Sequence, residues 1–239
     1  YLVTKKGGQN IWVVDQPKGL GKWDFDLFAG LTKEQLLPLL GKGNEVFGAG
    51  NRKMMSDALQ LARKWSADTE VKLSGASAET LAVVRRWFHT DGASDADVET
   101  TRATLLDGFK KITAACNSGL VIFSDRPHLR ASGDWDNTYA SVNSADTMAV
   151  IYIYAVFLKT GRRKLNGTVP KLWLCALTVV HELSHKLMST KDKRYDYQGL
   201  KPSAAFPSTD AINNADSWAY FCGDVLGSIP AKAVAEALV

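Results

Sequence analysis

Hydrophobic and polar positions follow two different periods along the chain. From Val46 to Ser118 apolar residues recur every three to four positions, through Met55, Leu59 and Ala62, then Leu81, Val84, Trp87 and Phe88, then Leu105, Phe109, Ile112 and Cys116. That spacing predicts a run of amphipathic helices. Ser77 with Thr80, and Ser94 or Asp95 near Glu99, supply helix starts, and Gly119 supplies a stop. The period then changes. Leu120–Phe123 reads as a short strand, Ser132–Asn137 as a turn, and Thr147–Leu158, rich in Ile, Val and Tyr, as a strand or hairpin arm. Pro170 is placed to open a long helix, Pro170–Met188. A loop from Ser189 to Ile212 follows, with Gly199, Pro202 and Pro207 in it; loops of this length commonly carry function or are disordered. Asn213–Leu226 and Pro230–Leu238 read as closing helices.

The first 45 residues differ from the rest. Glycine punctuates them, Ile11–Val14 reads as a strand, and Thr32–Leu40 as a helix opened by a capping box of Thr32 and Gln35. Residues 1–45 are therefore expected to be an N-terminal tether or extension, and 46–239 a domain with a helical half, 46–118, and a second half, 119–239. The run Gly41–Gly48 lacks the Gly-Lys-Ser/Thr ending and the preceding strand of a phosphate loop, so it reads as loop chemistry.

Composition narrows the class. The chain has 239 residues, 46% hydrophobic and 23% charged, which suits a folded globular protein. Lysine and arginine exceed acids by 29 to 25, and no basic block with interleaved aromatics points to nucleic acid. No apolar run reaches the 18 residues of a membrane span. Cys116, Cys175 and Cys222 form an odd set without CxxC spacing, which argues against a disulfide scaffold. The sequence opens at Tyr1 without a signal-peptide pattern, so it is expected to be processed or excised from a longer chain. Asn166-Gly-Thr is a glycosylation sequon that matters only in a secreted eukaryotic protein.

One motif carries chemistry. In His181-Glu182-Leu183-Ser184-His185 the two histidines lie one helical turn apart, so both imidazoles can reach one ion at ~2.0–2.1 Å. Glu182 is adjacent, able to take a proton from water without being a ligand. Leu174, Leu177, Val180 and Leu183 make the helix apolar and central, where a polar cluster needs a partner to offset desolvation. The third ligand is not a histidine at the metzincin spacing, since Met188 and Lys191 stand there. Glu236 is the only downstream glutamate and lies far off. Asp192, Asp196, Asp210, Asp216 and Asp224 remain, with Cys222 as a sulfur candidate. Asp192 has the best position, just past the helix end, where the chain can double back beneath the ion. His89 and His128 lack ligand spacing and read as surface or cap residues.

Two segments carry a resemblance. Ser189-Thr-Lys-Asp-Lys-Arg-Tyr195-Asp196 is similar to the Gly-Thr-x-Asp-x-x-Tyr-Gly signature of the aspzincins, the deuterolysin and peptidyl-lysine metalloendopeptidase family. Thr190, Asp192 and Tyr195 match, while Ser189 and Asp196 replace the glycines. Asn214-Ala-Asp-Ser-Trp218-Ala-Tyr-Phe221 is similar to the family's Asn-Ala-Asp-Ser-Tyr block, with Trp for Tyr. The resemblance implies an α+β, zincin-like metallopeptidase domain, mostly helical, with a small sheet and a central metal-binding helix. It implies one Zn²⁺ per chain on His181, His185 and Asp192, Glu182 as general base, and Tyr195 as donor to the oxyanion. Asp216 would contact a substrate lysine or support a zinc ligand. In lysine-specific members an acidic residue lies three positions on, and here that position is Ala219. In zincins a strand ahead of the metal helix can pair with extended substrate, so Val150–Phe157 is either that edge strand or a core strand.

The expected activity is a zinc-dependent endopeptidase acting on a protein or peptide. A zinc amidase acting on cell-wall peptides and a non-catalytic zinc-stabilised binding module are the competing readings; intact Glu182 speaks against the second. The odd cysteine count and lack of a signal look more like bacterial members, some of which are toxin domains of secreted effectors. That analogy implies delivery out of the producing cell, a carrier module and a cognate immunity protein.

Overall fold

The computed structural model describes residues 2–3, 11–14, 31–32, 34–35, 49–119, 121–125, 138–146, 148–158 and 169–239. Within the first half, the three- to four-residue spacing becomes three helices. In α1 (Ala49–Gly75) Met55, Leu59, Ala62, Trp65, Thr69 and Leu73 form the buried stripe. α2 (Ala78–Phe88) starts where the Ser77 side chain accepts the Thr80 N–H. α3 (Asp95–Asn117) opens with a capping box in which the partner of Ser94 is Asp97, not Glu99. Glu99 is instead engaged by Arg102. Gly119, at φ 68°, takes the left-handed conformation just past the C-cap.

The second half supplies most of a five-stranded sheet: β1 (Leu2–Val3), β2 (Ile11–Val14), β3 (Val121–Asp125), β4 (Ala140–Ser141) and β5 (Ala149–Ile153), in the order β1-β2-β3-β5-β4. β2, β3 and β5 run parallel, with Trp12 opposite Ile122 and Ile122 opposite Val150. β1 and β4 flank them antiparallel. Residues 2–3 and 11–14, from the expected tether, thus pair into the sheet of the second half. The capping box of Thr32 and Gln35 is formed; residues 33 and 36–40 lie outside the described residues, as do Gly41–Gly48, Ser132–Asn137, Asn166-Gly167 and His128.

Of the two readings of Val150–Phe157, the core strand holds, and only as far as Ile153. β5 lies between β3 and β4, with Val150–Ile153 buried. Phe157 belongs to a helical turn, α4 (Ala155–Leu158), because the chain bends after the Tyr154 N–H reaches the Tyr139 carbonyl at 3.1 Å. Among the described residues the edge beside β5 is β4.

Pro170 caps rather than opens α5 (Lys171–Met188). From Leu174 to Ser184 every residue of α5 is buried, the signature of a helix enclosed on all sides. It packs on α1, α3 and α7 (Ala215–Val225) and reaches β4 and β5. The long loop is ordered by a 3₁₀ turn at Asp196–Gln198 and by α6 (Ser208–Ile212); α8 (Ala231–Leu238) closes the fold. His89 is the C-cap of α2, and the three cysteines are buried and unbridged.

Trp218 on α7 lies where α3 has Gly108. A Cβ at 108 would stand 2.3 Å from Trp218 Cζ3, and the Trp218 indole N–H donates to the Ile212 carbonyl at 2.7 Å, which fixes the ring. Gly108→Ala should therefore lower stability by about 1–3 kcal/mol, whereas the same change on an exposed helix face gains about 1 kcal/mol. Urea denaturation measures this. Combined with Trp218→Phe, the loss should fall short of the sum of the two single losses.

Candidate metal centre and its cleft

His181 and His185 lie one turn apart near the C-terminal end of α5, and Ser189 ends that helix. Ser189 adopts the left-handed backbone (φ 58°, ψ 28°) and donates its N–H to the His185 carbonyl at 3.1 Å. Glycine favours this conformation, and a serine there costs about 1–2 kcal/mol. The turn sends residues 190–195 back across the histidines.

That return brings three electron-pair donors together. His181 Nε2 and His185 Nε2 are 3.0 Å apart, and Asp192 Oδ1 is 3.1 and 3.3 Å from them. Ligands held tetrahedrally at ~2.0–2.1 Å from an ion stand ~3.3 Å from one another, so the triangle fits one zinc with little adjustment. The other ring nitrogens settle the tautomers. His185 Nδ1 is 2.7 Å from the Thr190 carbonyl, which can only accept. His181 Nδ1 is 2.7 Å from Asp216 Oδ1. Both Nδ1 atoms thus donate, and both Nε2 lone pairs face Asp192; carboxylate and carbonyl partners of this kind orient metal-ligating histidines. Two lone pairs and a carboxylate at this distance require a cation among them. Without metal it is a proton: burial alone lowers the His181 imidazole, but its bonds to Asp192 and Asp216 outweigh this and raise it to about 10. Burial pushes the Asp192 carboxyl up, and the hydrogen bonds and charges of His181 and His185 reverse that and hold it well below the usual carboxylate range.

Among the described residues, His181, His185 and Asp192 are the one His/Cys/Asp/Glu group able to hold an ion. The other sequence candidates are engaged elsewhere. Asp210 pairs with Lys193 at 3.4 Å, Asp224 accepts from Arg86 and the Trp87 indole, Cys222 lies against Thr69, and Glu236 is near Lys232 on α8.

The start of α7 holds the ligand loop. Asn214 Oδ1 accepts the N–H groups of Lys193 and Arg194, both at 2.9 Å. Lys191 exchanges backbone bonds with Asn213 and Ala215. One turn on, Asp216 is buried and bridges two parts of the site: Oδ1 meets His181, and Oδ2 accepts the Asp196 N–H at 3.1 Å. Asp216 is not among the residues lining the cleft, and the side chain it reaches is His181. Asp196, the second replaced glycine, is buried; Oδ2 accepts the Tyr220 hydroxyl at 2.8 Å and Oδ1 the Tyr197 N–H at 2.9 Å.

The cluster opens into a cleft of about 850 Å³. Glu182, Tyr195 and Tyr197 line it, together with Tyr139, Ala140 and Ser141 of β4 and its approach. Burial first, then the nearby Asp192 charge, raises the pKa of the Tyr195 hydroxyl above that of an ordinary phenol, so it stays a donor. Two supports escaped the sequence reading, the Asn214 side chain and the β4 wall. Asn214 stands in a recognisable block but shows its role only once the chain folds back. A two-residue strand is too short to show alternation.

A parallel-centred sheet packed on helices, with two histidines of one buried helix and a returning aspartate, defines the class as a zincin-type metallopeptidase. Residues 73–223 match the model of the aspzincin M35 family, described as lysine-specific metallo-endopeptidase, and the chain belongs to that family. It is accordingly a zinc metalloendopeptidase. Among solved structures it is similar to a zinc peptidase from Grifola frondosa, with TM-score 0.52 and 21% identity over 74% of this chain and 97% of that one, a likeness of fold. A comparison with curated proteins finds no match.

Because the metal-free cluster holds a proton up to about pH 10, zinc must displace it. Zinc affinity should rise about tenfold per pH unit between pH 6 and 9, and calorimetry in buffers of different ionisation enthalpy should show about one proton released. Asp192→Ala should abolish stoichiometric zinc, and Asp216→Ala should weaken it about 10–100-fold.

Proposed function

We propose that this zinc metalloendopeptidase hydrolyses internal peptide bonds with Glu182 as general base and Tyr195 as oxyanion donor, on a zinc held by His181, His185 and Asp192. The observation that carries the reading is that Glu182, Tyr195 and the His181, His185 and Asp192 cluster line one cleft. An extended peptide is held along β4, at the edge of the described sheet, by backbone pairing.

Zinc, when bound, supplies a Lewis acid that lowers the pKa of a coordinated water toward ~7. Asp192 contributes one negative charge beside two neutral imidazoles, which leaves the centre with a net positive charge for the oxyanion. Glu182, buried and next in sequence to His181, takes the proton of the attacking water and delivers it to the departing amine. Tyr195 donates to the charge that develops on the carbonyl oxygen. Asp216 keeps the His181 ring oriented throughout.

Glu182→Gln should retain one zinc per chain and lower kcat by about 10²–10⁴. Elemental analysis and peptide hydrolysis measure the two quantities; turnover within threefold of the parent would remove Glu182 from the proton transfer. Tyr195→Phe should lower kcat by about 10²–10³ with KM little changed, because the phenol acts on the transition state. An unchanged kcat would strike the phenol from the mechanism.

A further inference from the structure

We propose that Lys186 is a positioning residue, which ties the turn between β4 and β5 to the helix that carries His181 and His185 and so fixes where the β4 wall of the cleft stands. The proposal rests on the endopeptidase reading above, in which an extended peptide lies along β4.

β4 has only two residues, and so short an edge strand has few ladder bonds of its own. Ser141 pairs with Tyr152, and residues 143–146 then turn the chain back. The Asp146 N–H donates to the Asn143 carbonyl at 3.2 Å, and the Ala145 N–H to the Asn143 side chain at 3.0 Å. Asn143 and Asp146 are buried, while Ser144 and Ala145 are exposed. Ser141, Val142 and Ser144 line the cleft, so the path of this turn sets the position of the wall.

The turn is held from two sides. From the sheet, the Tyr152 hydroxyl donates to Asp146 Oδ2 at 2.8 Å, and the Tyr154 and Ser141 hydroxyls lie 3.3 Å apart. From the helix, the Lys186 ammonium donates to the carbonyls of Asn143 at 3.0 Å, of Ser144 at 3.3 Å and of Asp146. All three of its N–H groups are thereby used. A lysine in the last turn of a helix is favoured by the helix dipole with its side chain left in solvent. That explanation does not account for Lys186, whose half-buried side chain gathers three carbonyls of one turn. Ordering so long a side chain costs rotamer freedom, and three charge-assisted bonds offset the loss. Without a cation among them, the three converging carbonyl dipoles would oppose one another. Adjacent residues of α5 thus reach two parts of the site: His185 meets Asp192, and Lys186 holds the turn behind the wall.

The test compares the zinc-loaded full chain with Lys186→Met, which keeps the bulk of the side chain and removes its donors. Elemental analysis should give the same zinc content for both. On an octapeptide substrate KM should rise about tenfold with kcat little changed, the pattern of lost uniform binding, whereas a blocked tetrapeptide, with less chain to lay along β4, should lose about threefold or less. Hydrogen exchange, which needs no turnover, should show the Ala145 and Asp146 amides exchanging about tenfold faster, with the amides of α5 unchanged. Lys186→Arg, which keeps a cation with several donors, should recover most of the octapeptide affinity. Tyr152→Phe, which loosens the same turn from the sheet, should give the same split in smaller measure. Parent-like KM and exchange in Lys186→Met overturn the proposal, and so does an equal loss on both peptides accompanied by lost zinc, the mark of a merely structural role. If Lys186→Met does not fold, a Tyr152→Phe variant without the split overturns it. Absence of cleavage by the zinc-replete parent overturns the endopeptidase reading, while exchange still decides whether Lys186 holds the turn.

Discussion

At the end of α5 two imidazole lone pairs and a carboxylate oxygen stand 3.0–3.3 Å from one another, on a helix whose central eleven residues are all buried. Such a group repels itself unless a cation sits inside it, and the low-dielectric surroundings sharpen that demand. The cation can be a proton or a metal ion. Each outer ring nitrogen already donates its hydrogen to a fixed acceptor, Asp216 or the Thr190 carbonyl, which turns both Nε2 atoms toward that cation. Much of the remaining architecture keeps those acceptors in place.

The first turn of α7 does this holding. Asn214 fixes the loop that carries Asp192, while Asp216 fixes both the His181 ring and the turn that carries Tyr195 and Tyr197. One helix end thereby sets the distance between the candidate metal-binding residues and the aromatic wall of the cleft. α7 itself is packed against α5 and, through Trp218 over Gly108, against α3. Packing in the helical half is in this way transmitted to the geometry of the chemistry, by rigid contacts rather than by any single bond.

The departures from the family signature are absorbed locally. Ser189 accepts the left-handed turn that glycine would take without strain, because the helix-capping bond to His185 and the Asp192 position both require it. Asp196 brings a carboxylate where glycine has none, and that carboxylate is used up inside the fold by Tyr220 and by its own turn. Trp218 is larger than the family's tyrosine, and the glycine opposite it gives the room.

The sequence determined what depends on neighbours along the chain. Three- and four-residue apolar spacing made α1, α2, α3 and α5 legible, and the His181–His185 spacing on an apolar helix pointed to a metal site before the fold was known. Asp192 was within reach because it follows the helix end so closely. Only the tertiary structure decided matters that depend on distant segments. β5 became interior because residues 138–141 return to cover it, a pairing invisible in a two-residue strand. Asp216 became a support for His181 because α7 packs with that residue facing α5, thirty-five positions away in sequence. Spacing fixes which side chains share a face of one element, whereas only packing fixes which faces meet.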